Sequence, residues 1–276
     1  MHWSGVFPAI TTPFAADLTI DAEELESHVE WMIQSGCTGI VPLGSLGESN
    51  TLTFAEKLTV IDRCKAAIAG RVPLVAGIAS LSTAEAVELA REAERRGCDG
   101  LMVLPPYVYR GDARETAAHF DAVISATKLS CMLYNNPVAY GTDVLPAQLA
   151  VFAKRHSNLH AVKESSTDVR RISEIRERID ERITIFVGVD DLLVEGVAAG
   201  AAGWIAGLVN AFPSESVELY ARATKSPAAA RALYEWFLPL LRLDTVPKFV
   251  QLIKLVQEVV GMGSSRVRPP RLQPAR

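Results

Sequence analysis

Residues 159–166, Leu-His-Ala-Val-Lys-Glu-Ser-Ser, form an apolar run of β type that ends at Lys163 and is followed by small polar residues. A lysine at the end of a buried strand is poorly solvated, and this disfavours its charged form and makes its amine a nucleophile toward a carbonyl carbon. Taken alone, Lys163 has a plainer interpretation, in which its side chain extends to solvent or pairs with Glu164. The nucleophile hypothesis therefore depends on the groups that the rest of the chain places beside it.

Tyr134 and the glycine-rich segment 44–49 supply the other groups that such chemistry needs. An imine between Lys163 and the keto group of a 2-oxo acid withdraws electrons from the neighbouring carbon, so it allows carbon–carbon cleavage or formation, or loss of a β-leaving group. Tyr134 can carry the protons if its pKa falls near a cationic group. The glycine-rich segment offers backbone N–H groups and the Ser45 hydroxyl to a carboxylate, although a plain tight turn before a helix is the alternative.

The elements that position these groups follow a repeating pattern. The phrase Gly-Cys-Thr-Gly at 36–39 returns as Gly-Cys-Asp-Gly at 97–100 and more faintly as Gly-Ala-Ala-Gly at 200–203, each time between a helical pattern and an apolar run. Such recurrence predicts alternating strands and helices. The eight predicted strands lie at residues 5–10, 40–43, 73–77, 100–104, 130–134, 159–163, 183–187 and 203–206.

Eight such units predict an α/β protein with the TIM (β/α)8 barrel fold, and the helical patterns that remain predict additional C-terminal helices. We divide the chain into the barrel at residues 1–212, a closing helix with a helical extension at 213–262, and a flexible tail at 263–276. In a barrel of this kind, functional residues lie where strands end and the following loops begin. Lys163, Tyr134 and the glycine-rich segment all occupy such positions.

The composition excludes several classes of function. A formal net charge of -4 provides no basic surface for nucleic acid. No apolar run reaches the ~20 residues of a membrane helix, and residues 1–5 lack the pattern of a signal peptide, so we expect a cytoplasmic protein. The cysteines and histidines lack zinc-ligand spacing, and the acids Glu48, Glu164, Asp190 and Asp191 belong to separate loops. Neither a metal nor another cofactor is predicted.

Three motifs carry a resemblance to a known family. Gly-Ser-Leu-Gly-Glu at 44–48, Tyr-Asn-Asn-Pro at 134–137 and Val-Lys-Glu at 162–164, in this order and spacing, resemble the dihydrodipicolinate synthase / N-acetylneuraminate lyase family of class I aldolases over residues 5–260. The resemblance implies that Lys163 forms the Schiff base, that Tyr134 shuttles protons and that Ser45 binds a carboxylate. It also implies a small-molecule substrate and a homotetramer.

The complete predicted site combines the strand-end positions with this resemblance. The predicted catalytic residues are Lys163, Tyr134 and Ser45. The predicted substrate-binding residues are Thr11, Gly44, Leu46, Gly47, Tyr107, Asn136, Gly188 and Ile205.

Departures from the family pattern bear on the substrate. Dihydrodipicolinate synthases carry two consecutive threonines where this chain has Ser45 and Leu46, and an arginine for the second substrate's carboxylate where it has Ala139. Loss of a buried charge-assisted hydrogen bond costs about 1.5 to 3 kcal/mol per contact, which disfavours that synthase activity. The segments 134–141, 188–191 and 207–213 look closer to the branch that deaminates 1-pyrroline-4-hydroxy-2-carboxylate to 2-oxoglutarate semialdehyde and ammonia in hydroxyproline breakdown.

Other functions stay open at this point. A 2-keto-3-deoxy sugar acid aldolase or dehydratase would use the same lysine and tyrosine, and so would dihydrodipicolinate synthase itself. A barrel that binds a 2-oxo acid as a sensor, without turnover, is the alternative from a different class. The presence of both Lys163 and Tyr134 favours an enzyme, because a barrel that only binds needs neither.

Overall fold

Parallel strands form the central sheet of the computed structural model, which describes residues 1–107 and 109–274. Within these residues the sheet has seven strands in the order β1-β7-β6-β5-β4-β3-β2. The strands are β1 (Gly5–Pro8), β2 (Val75–Ile78), β3 (Gly100–Val103), β4 (Ser130–Asn135), β5 (Leu159–Glu164), β6 (Thr184–Val187) and β7 (Gly203–Ala206). Their residues are mostly apolar and buried, as expected for parallel strands that are covered on both faces.

The predicted strand near Val41 is reduced to isolated bridges. Val41 pairs with Ala9 and Ile40 pairs with Leu74, both in parallel, so this segment connects the two ends of the sheet. Pro42 has no N–H group to donate to a ladder, and this keeps the pairing short. Seven of the eight predicted strands are therefore present as strands in the described chain, and bridges occupy the place of the eighth.

Helices follow the strands and cover the sheet. They are α1 (Ala22–Gln34), α2 (Phe54–Ile68), α3 (Thr83–Arg95), α4 (Ala113–Ser125), α5 (Pro137–Tyr140), α6 (Pro146–Arg155), α7 (Arg170–Ile179), α8 (Leu193–Ala198), α9 (Pro213–Lys225), α10 (Pro227–Leu241) and α11 (Phe249–Val259). Asp21 caps α1 by accepting a hydrogen bond from the Glu24 N–H, as its position predicts. Across residues 1–107 and 109–274, no helix has the length and apolar character needed to cross a membrane.

The last predicted helix begins later than its sequence pattern indicates. The pattern predicts a helix from Thr245, but α11 starts at Phe249 and a short 3-10 turn, Arg242–Thr245, precedes it. Pro247 explains the difference, because a proline pushes the residue before it into extended backbone. Val246 accordingly has φ −108° and ψ 156°. This interruption places the 3-10 turn between α10 and α11, where it becomes part of the site described below.

Glycines of the recurring phrase have a packing role. A Cβ at Gly39 would lie 2.5 Å from the Phe7 ring, and one at Gly203 would lie 2.3 Å from the Phe186 ring. The two rings pack edge to face with their centroids 5.2 Å apart. In these two copies of the phrase, the second glycine is required because a large aromatic side chain of the sheet fills the space beside it.

Part of the predicted flexible tail contacts the rest of the chain. Val267 is buried, and the Arg268 guanidinium donates hydrogen bonds to the Glu56 carboxylate at 2.6 and 3.0 Å. The Arg268 side chain also lies over the Phe14 ring, 4.6 Å from its centroid. Residues 265–268 are thus held against the loops that precede α1 and α2.

Candidate active site

Lys163 lies at the carboxyl end of β5, beside Tyr134 in the register of β4 and β5. It is 6% exposed, and its Nζ atom lies 4.1 Å from the centroid of the Tyr134 ring. In the described part of the chain, Nζ makes no hydrogen bond and no ion pair. Pairing with Glu164 does not occur, because that carboxylate accepts hydrogen bonds from Asn135 Nδ2 at 3.1 Å and from the Ser166 N–H at 2.6 Å.

The surroundings of Lys163 favour its neutral form. Burial lowers the pKa of Lys163, and the groups that oppose this effect are, in order of strength, Asp244, Tyr140 and Asp190. Gly188 makes room for the side chain, since a Cβ there would lie 2.7 Å from Lys163 Cε. Lys163 is therefore closer to a free amine than an exposed lysine is.

Three tyrosine rings form a connected group that begins with Tyr134, the ring beside this amine. The ring of Tyr140 lies 5.6 Å from that of Tyr134 and 5.6 Å from that of Tyr107, centroid to centroid. The Tyr140 hydroxyl is hydrogen-bonded to Ser45 Oγ and faces the Tyr134 hydroxyl, which accepts a hydrogen bond from Asn136 Nδ2 at 3.0 Å. Burial raises the pKa of Tyr134 to about 12, so the expected fall near a cation is not found. Desolvation outweighs the hydrogen bonds from Asn136, Ser165 and Tyr140 that lower this pKa, and Tyr134 is a neutral phenol here.

The short helix α5 explains how Tyr140 reaches Ser45. Asn136 caps this helix by accepting a hydrogen bond from the Ala139 N–H at 2.9 Å, and Pro137 occupies its first position. Gly141 ends it in the left-handed conformation with φ 71°. Sequence reasoning missed Tyr140, although an Asn-Pro start with a glycine four residues later is a recognisable signal for one helical turn.

The segment 44–49 forms a tight turn with free donors. A Cβ at Gly47 would lie 3.0 Å from the Ile10 carbonyl oxygen, so this position requires glycine. Leu46 is 3% exposed, and its side chain takes the place where a second hydroxyl would stand. In residues 1–107 and 109–274, the N–H groups of Ser45, Leu46 and Gly47 have no hydrogen-bond partner. They are available for a carboxylate.

A buried ion pair holds this turn in place, and we call it the anchor pair: Glu48 and Lys254. Glu48 is 0% exposed, and its Oε1 atom lies 2.6 Å from Lys254 Nζ. Lys254 also donates to the Arg266 carbonyl at 2.7 Å and lies 4.3 Å from the Phe14 ring centroid. The Arg268 N–H donates to the second Glu48 oxygen at 3.1 Å. Helix α11 and the tail therefore fix the backbone of the glycine-rich segment.

Three predicted substrate-binding residues have other partners. The Thr11 hydroxyl donates to Gln257 Oε1 at 2.9 Å, and the Tyr107 hydroxyl donates to Asn50 Oδ1 at 2.8 Å. Ile205 is 1% exposed within β7 and belongs to the core. The predicted residues that the structure brings together around Lys163, directly or through Tyr140, are Tyr134, Ser45, Asn136, Gly188 and Tyr107. Gly44, Leu46 and Gly47 belong to the turn that carries Ser45.

Two acids complete the surroundings of Lys163. The Asp190 carboxylate is 0% exposed and accepts hydrogen bonds from the N–H groups of Gly207 at 3.0 Å and Leu208 at 2.7 Å, and from Trp204 Nε1 at 3.1 Å. Asp244 comes from the 3-10 turn before α11, where no sequence motif indicated a site residue. Burial raises the pKa of both carboxyls. The described residues contain no cluster of three or more His, Cys, Asp or Glu side chains that could hold a metal ion.

Comparisons with known proteins identify a matching family, similar sequences and similar structures. The sequence model of the dihydrodipicolinate synthetase family matches residues 2–275. A 4-hydroxy-tetrahydrodipicolinate synthase from Methanoculleus marisnigri is 37% identical over 275 residues, which cover 97% of this chain and 93% of that protein. The corresponding Rhizobium meliloti protein is 34% identical and covers 98% and 92%. The crystal structure of dihydrodipicolinate synthase from Aquifex aeolicus superposes with a TM-score of 0.95 at 30% identity, covering 99% and 93%.

Proposed function

The chain belongs to the dihydrodipicolinate synthetase family, and on that premise we propose that it is a lyase in which Lys163 forms a Schiff base with a small 2-oxo acid or cyclic imino acid. The observation that carries the proposal is the Lys163 amine, which is buried beside the Tyr134 ring without an ionic partner in the described part of the chain. An amine in these surroundings has a lowered pKa and is available for attack on a carbonyl or imine carbon. The complete eight-unit barrel at 1–212, with the helical extension at 213–262, is part of this proposal.

The first chemical step is the same for both kinds of substrate. Lys163 Nζ adds to the substrate's C2 carbon. With a 2-oxo acid, the carbonyl oxygen leaves as water. With a cyclic imine, the bond between C2 and the ring nitrogen breaks, and that nitrogen remains on the opened substrate as an amine. The resulting iminium draws electrons from the bond between C3 and its hydrogen, so C3 can lose its proton.

The tyrosines supply the proton path in this proposal. Tyr134 is the hydroxyl next to Lys163, Tyr140 lies between it and Ser45, and Ser45 stands at the turn that offers its N–H groups to the substrate carboxylate. All three hydroxyls are neutral, so they move protons by exchanging donor and acceptor roles rather than by forming a phenolate. The path lies entirely within one chain.

We further propose 1-pyrroline-4-hydroxy-2-carboxylate as the substrate. This compound has a single carboxylate, and the features that support it are the apolar Leu46 and the small Ala139, where a synthase of the family has a hydroxyl and an arginine. After ring opening, loss of the 4-hydroxyl as water and hydrolysis of the two imines would release ammonia and 2-oxoglutarate semialdehyde. The overall reaction consumes one water.

Dihydrodipicolinate synthase activity is the second candidate. The relatives named above carry the name 4-hydroxy-tetrahydrodipicolinate synthase. One contact also favours it: a Cβ at Gly141 would lie 2.7 Å from Nε of the exposed Arg110, so a guanidinium lies close to the loop in which Ala139 replaces an arginine. Arg110 could then hold a second carboxylate from a different position in the sequence.

Borohydride trapping tests the proposal at the level of the Schiff base. We expect incubation of the native chain with pyruvate and borohydride to give a covalent adduct by intact mass, located on Lys163. The Lys163→Ala variant should give none, whereas the matched Lys154→Ala variant, which removes an exposed lysine of α6, should react like the native chain. No adduct on the native chain would favour the sensor barrel and end the enzyme proposal.

A substrate panel tests the finer assignment. We expect ammonia and semialdehyde from 1-pyrroline-4-hydroxy-2-carboxylate, and weaker or no turnover of 2-keto-3-deoxygluconate and of aspartate semialdehyde with pyruvate. Turnover of the last pair alone, abolished in Arg110→Ala, would establish the synthase instead. The proposal retains a cytoplasmic location and a homotetramer, and light scattering would measure the oligomeric state.

A further inference from the structure

The 3-10 turn Arg242–Thr245 carries an acid to the carboxyl end of β7. A Cβ at Gly207, the residue directly after β7, would lie 2.6 Å from Asp244 Oδ1 and 3.1 Å from its Cγ. Only a residue without a side chain leaves room for the carboxylate there. The helical extension therefore contributes a functional group to the end of the barrel where Lys163 lies.

The charged groups around Asp244 have defined positions. Its carboxylate accepts a hydrogen bond from the Asp190 backbone N–H, and of the charges near Lys163 it acts on that amine most strongly. The guanidinium of Arg242, in the same 3-10 turn, lies 3.9 Å from the Asp191 carboxylate. Within residues 1–107 and 109–274, no cation lies within salt-bridge distance of the Asp244 carboxylate.

Asp190 is engaged in a way that Asp244 is not. The Asp190 carboxylate accepts hydrogen bonds from the Gly207 and Leu208 N–H groups and from Trp204 Nε1. Its oxygens are therefore already hydrogen-bonded to groups at the end of β7. Asp244 is partly exposed and has lone pairs to spare. Of the two acids beside Lys163, it is the one that a substrate can reach.

We propose that Asp244 is a catalytic acid that contacts the substrate, binding the hydroxyl group two carbons from the imine carbon and giving that hydroxyl its proton as it leaves as water. This inference rests on the proposed Schiff-base function and defines its substrate class, namely 2-oxo or imino acids with a hydroxyl at C4. A substrate with a second carboxylate at that end is disfavoured, because it would meet Asp244.

The step balances without a further reagent. The C3–H bond breaks and its proton passes along the tyrosine path to solvent, while its electron pair forms the C3–C4 double bond. The C4–O bond breaks, its electron pair leaves with the oxygen, and that oxygen takes the proton of the Asp244 carboxyl to form water. Asp244 is then protonated again from solvent.

Burial raises the pKa of Asp244 to about 6, so this carboxyl carries its proton at a higher pH than an exposed aspartic acid does. Burial and the neighbouring Asp191 raise the pKa of Asp244, and Lys163 and the Asp190 N–H oppose this effect without cancelling it. A general acid must be protonated to act, so activity should fall as the pH rises through this raised pKa. Asp190, the other acid that faces Asp244, is held by three donors and does not replace it.

Asp244→Asn tests the inference, with Asp168→Asn as the matched control, an acid on the loop after β5 that pairs with Arg170. We expect Asp244→Asn to lower kcat for the hydroxylated imino acid by about 10²-fold or more and to remove the alkaline fall in the pH profile. The variant should still be trapped by pyruvate and borohydride, since pyruvate has no C4 hydroxyl. Asp168→Asn should keep the native pH profile.

Three outcomes would overturn the inference. One is an Asp244→Asn variant whose kcat stays within about threefold of native or whose alkaline limb remains. Another is equal loss of turnover and of the pyruvate adduct, which would show a structural role; circular dichroism and the Asp244→Ala variant would separate it from misfolding. A native chain that traps pyruvate but turns over no C4-hydroxylated substrate also refutes it. Absence of the native adduct would refute the Schiff-base function itself.

Discussion

Lys163 and Lys254 are two buried lysines whose surroundings differ in one respect. They are 6% and 1% exposed, and each ammonium nitrogen lies over an aromatic ring, 4.1 Å from the Tyr134 centroid and 4.3 Å from that of Phe14. Lys254 has the Glu48 carboxylate at 2.6 Å, whereas Lys163 has no ionic partner in the described chain. Neither burial nor an aromatic neighbour therefore distinguishes a nucleophile from a structural lysine.

The carboxylate decides which lysine keeps its charge. Burial lowers the pKa of Lys254 to about 8, and Glu48 opposes this, so Lys254 is a cation at neutral pH and neutralises a fully buried carboxylate. The charges that act on Lys163 come from acids that do not touch it. In the proposed reaction, the anchor pair fixes the turn whose N–H groups bind the substrate carboxylate, and Lys163 supplies the reactive amine. We therefore assign a structural role to Lys254 and a chemical role to Lys163.

The largest expected effect comes from breaking the anchor pair. Lys254→Met leaves the fully buried Glu48 carboxylate with only the more distant Arg271 guanidinium, 3.8 Å away, and removal of one partner of a buried pair costs about 3 to 5 kcal/mol of unfolding free energy. Urea unfolding would measure this loss. The double variant Glu48→Gln with Lys254→Met should recover most of it, because no buried charge is then left alone.

Lys163→Met is the matched control for that comparison. It removes an equally buried amine whose loss leaves no ion-paired carboxylate without its partner, so the free energy of unfolding should stay unchanged or rise while adduct formation disappears. A loss of stability in Lys163→Met as large as that in Lys254→Met would contradict the division between the two lysines.

A smaller effect is expected at Tyr140, which connects Ser45 to the Lys163 side of the site. Tyr140→Phe keeps the ring packing and removes the hydroxyl of the proton path, so kcat should fall by about 10²-fold while the pyruvate adduct still forms. Tyr220→Phe is the control, because that hydroxyl donates to the Ala202 carbonyl instead. Ser45→Ala should lower kcat by a similar factor. The double variant Ser45→Ala with Tyr140→Phe should have a kcat little lower than that of either single variant. Additive losses would show that the two hydroxyls act separately.

The sequence predicts the site residues whose positions follow from the apolar pattern of a single strand. Lys163 follows an apolar run and Tyr134 ends the neighbouring one, so the rule that strand ends carry function identified both. Tyr140 was missed because its role depends on one helical turn after Pro137, which is too short to give a periodic signal. Asp244 and the anchor pair were missed for another reason. Glu48 and Lys254 are 206 residues apart, and no spacing rule connects them.

The pH dependence of stability gives the smallest effect and sharpens the comparison further. Between the lowered pKa of Lys163 and the ordinary lysine value of about 10.4, the unfolded chain binds one more proton than the folded chain, so the free energy of unfolding rises with pH. The slope is at most about 1.4 kcal/mol per pH unit for one group. Lys254 also makes the free energy of unfolding rise with pH, beginning at its folded-state pKa of about 8.

Urea unfolding between pH 7 and 9.5 would separate the two contributions. Lys163→Met should show a smaller slope of unfolding free energy against pH than the native chain, because residue 163 then binds no proton in either the folded or the unfolded state. The double variant Glu48→Gln with Lys254→Met should lose slope only as the pH passes about 8, where Lys254 begins to release its proton in the folded state. Equal slopes in the native chain and Lys163→Met would mean that Lys163 stays charged when buried, and its assignment as a free amine nucleophile would then fail.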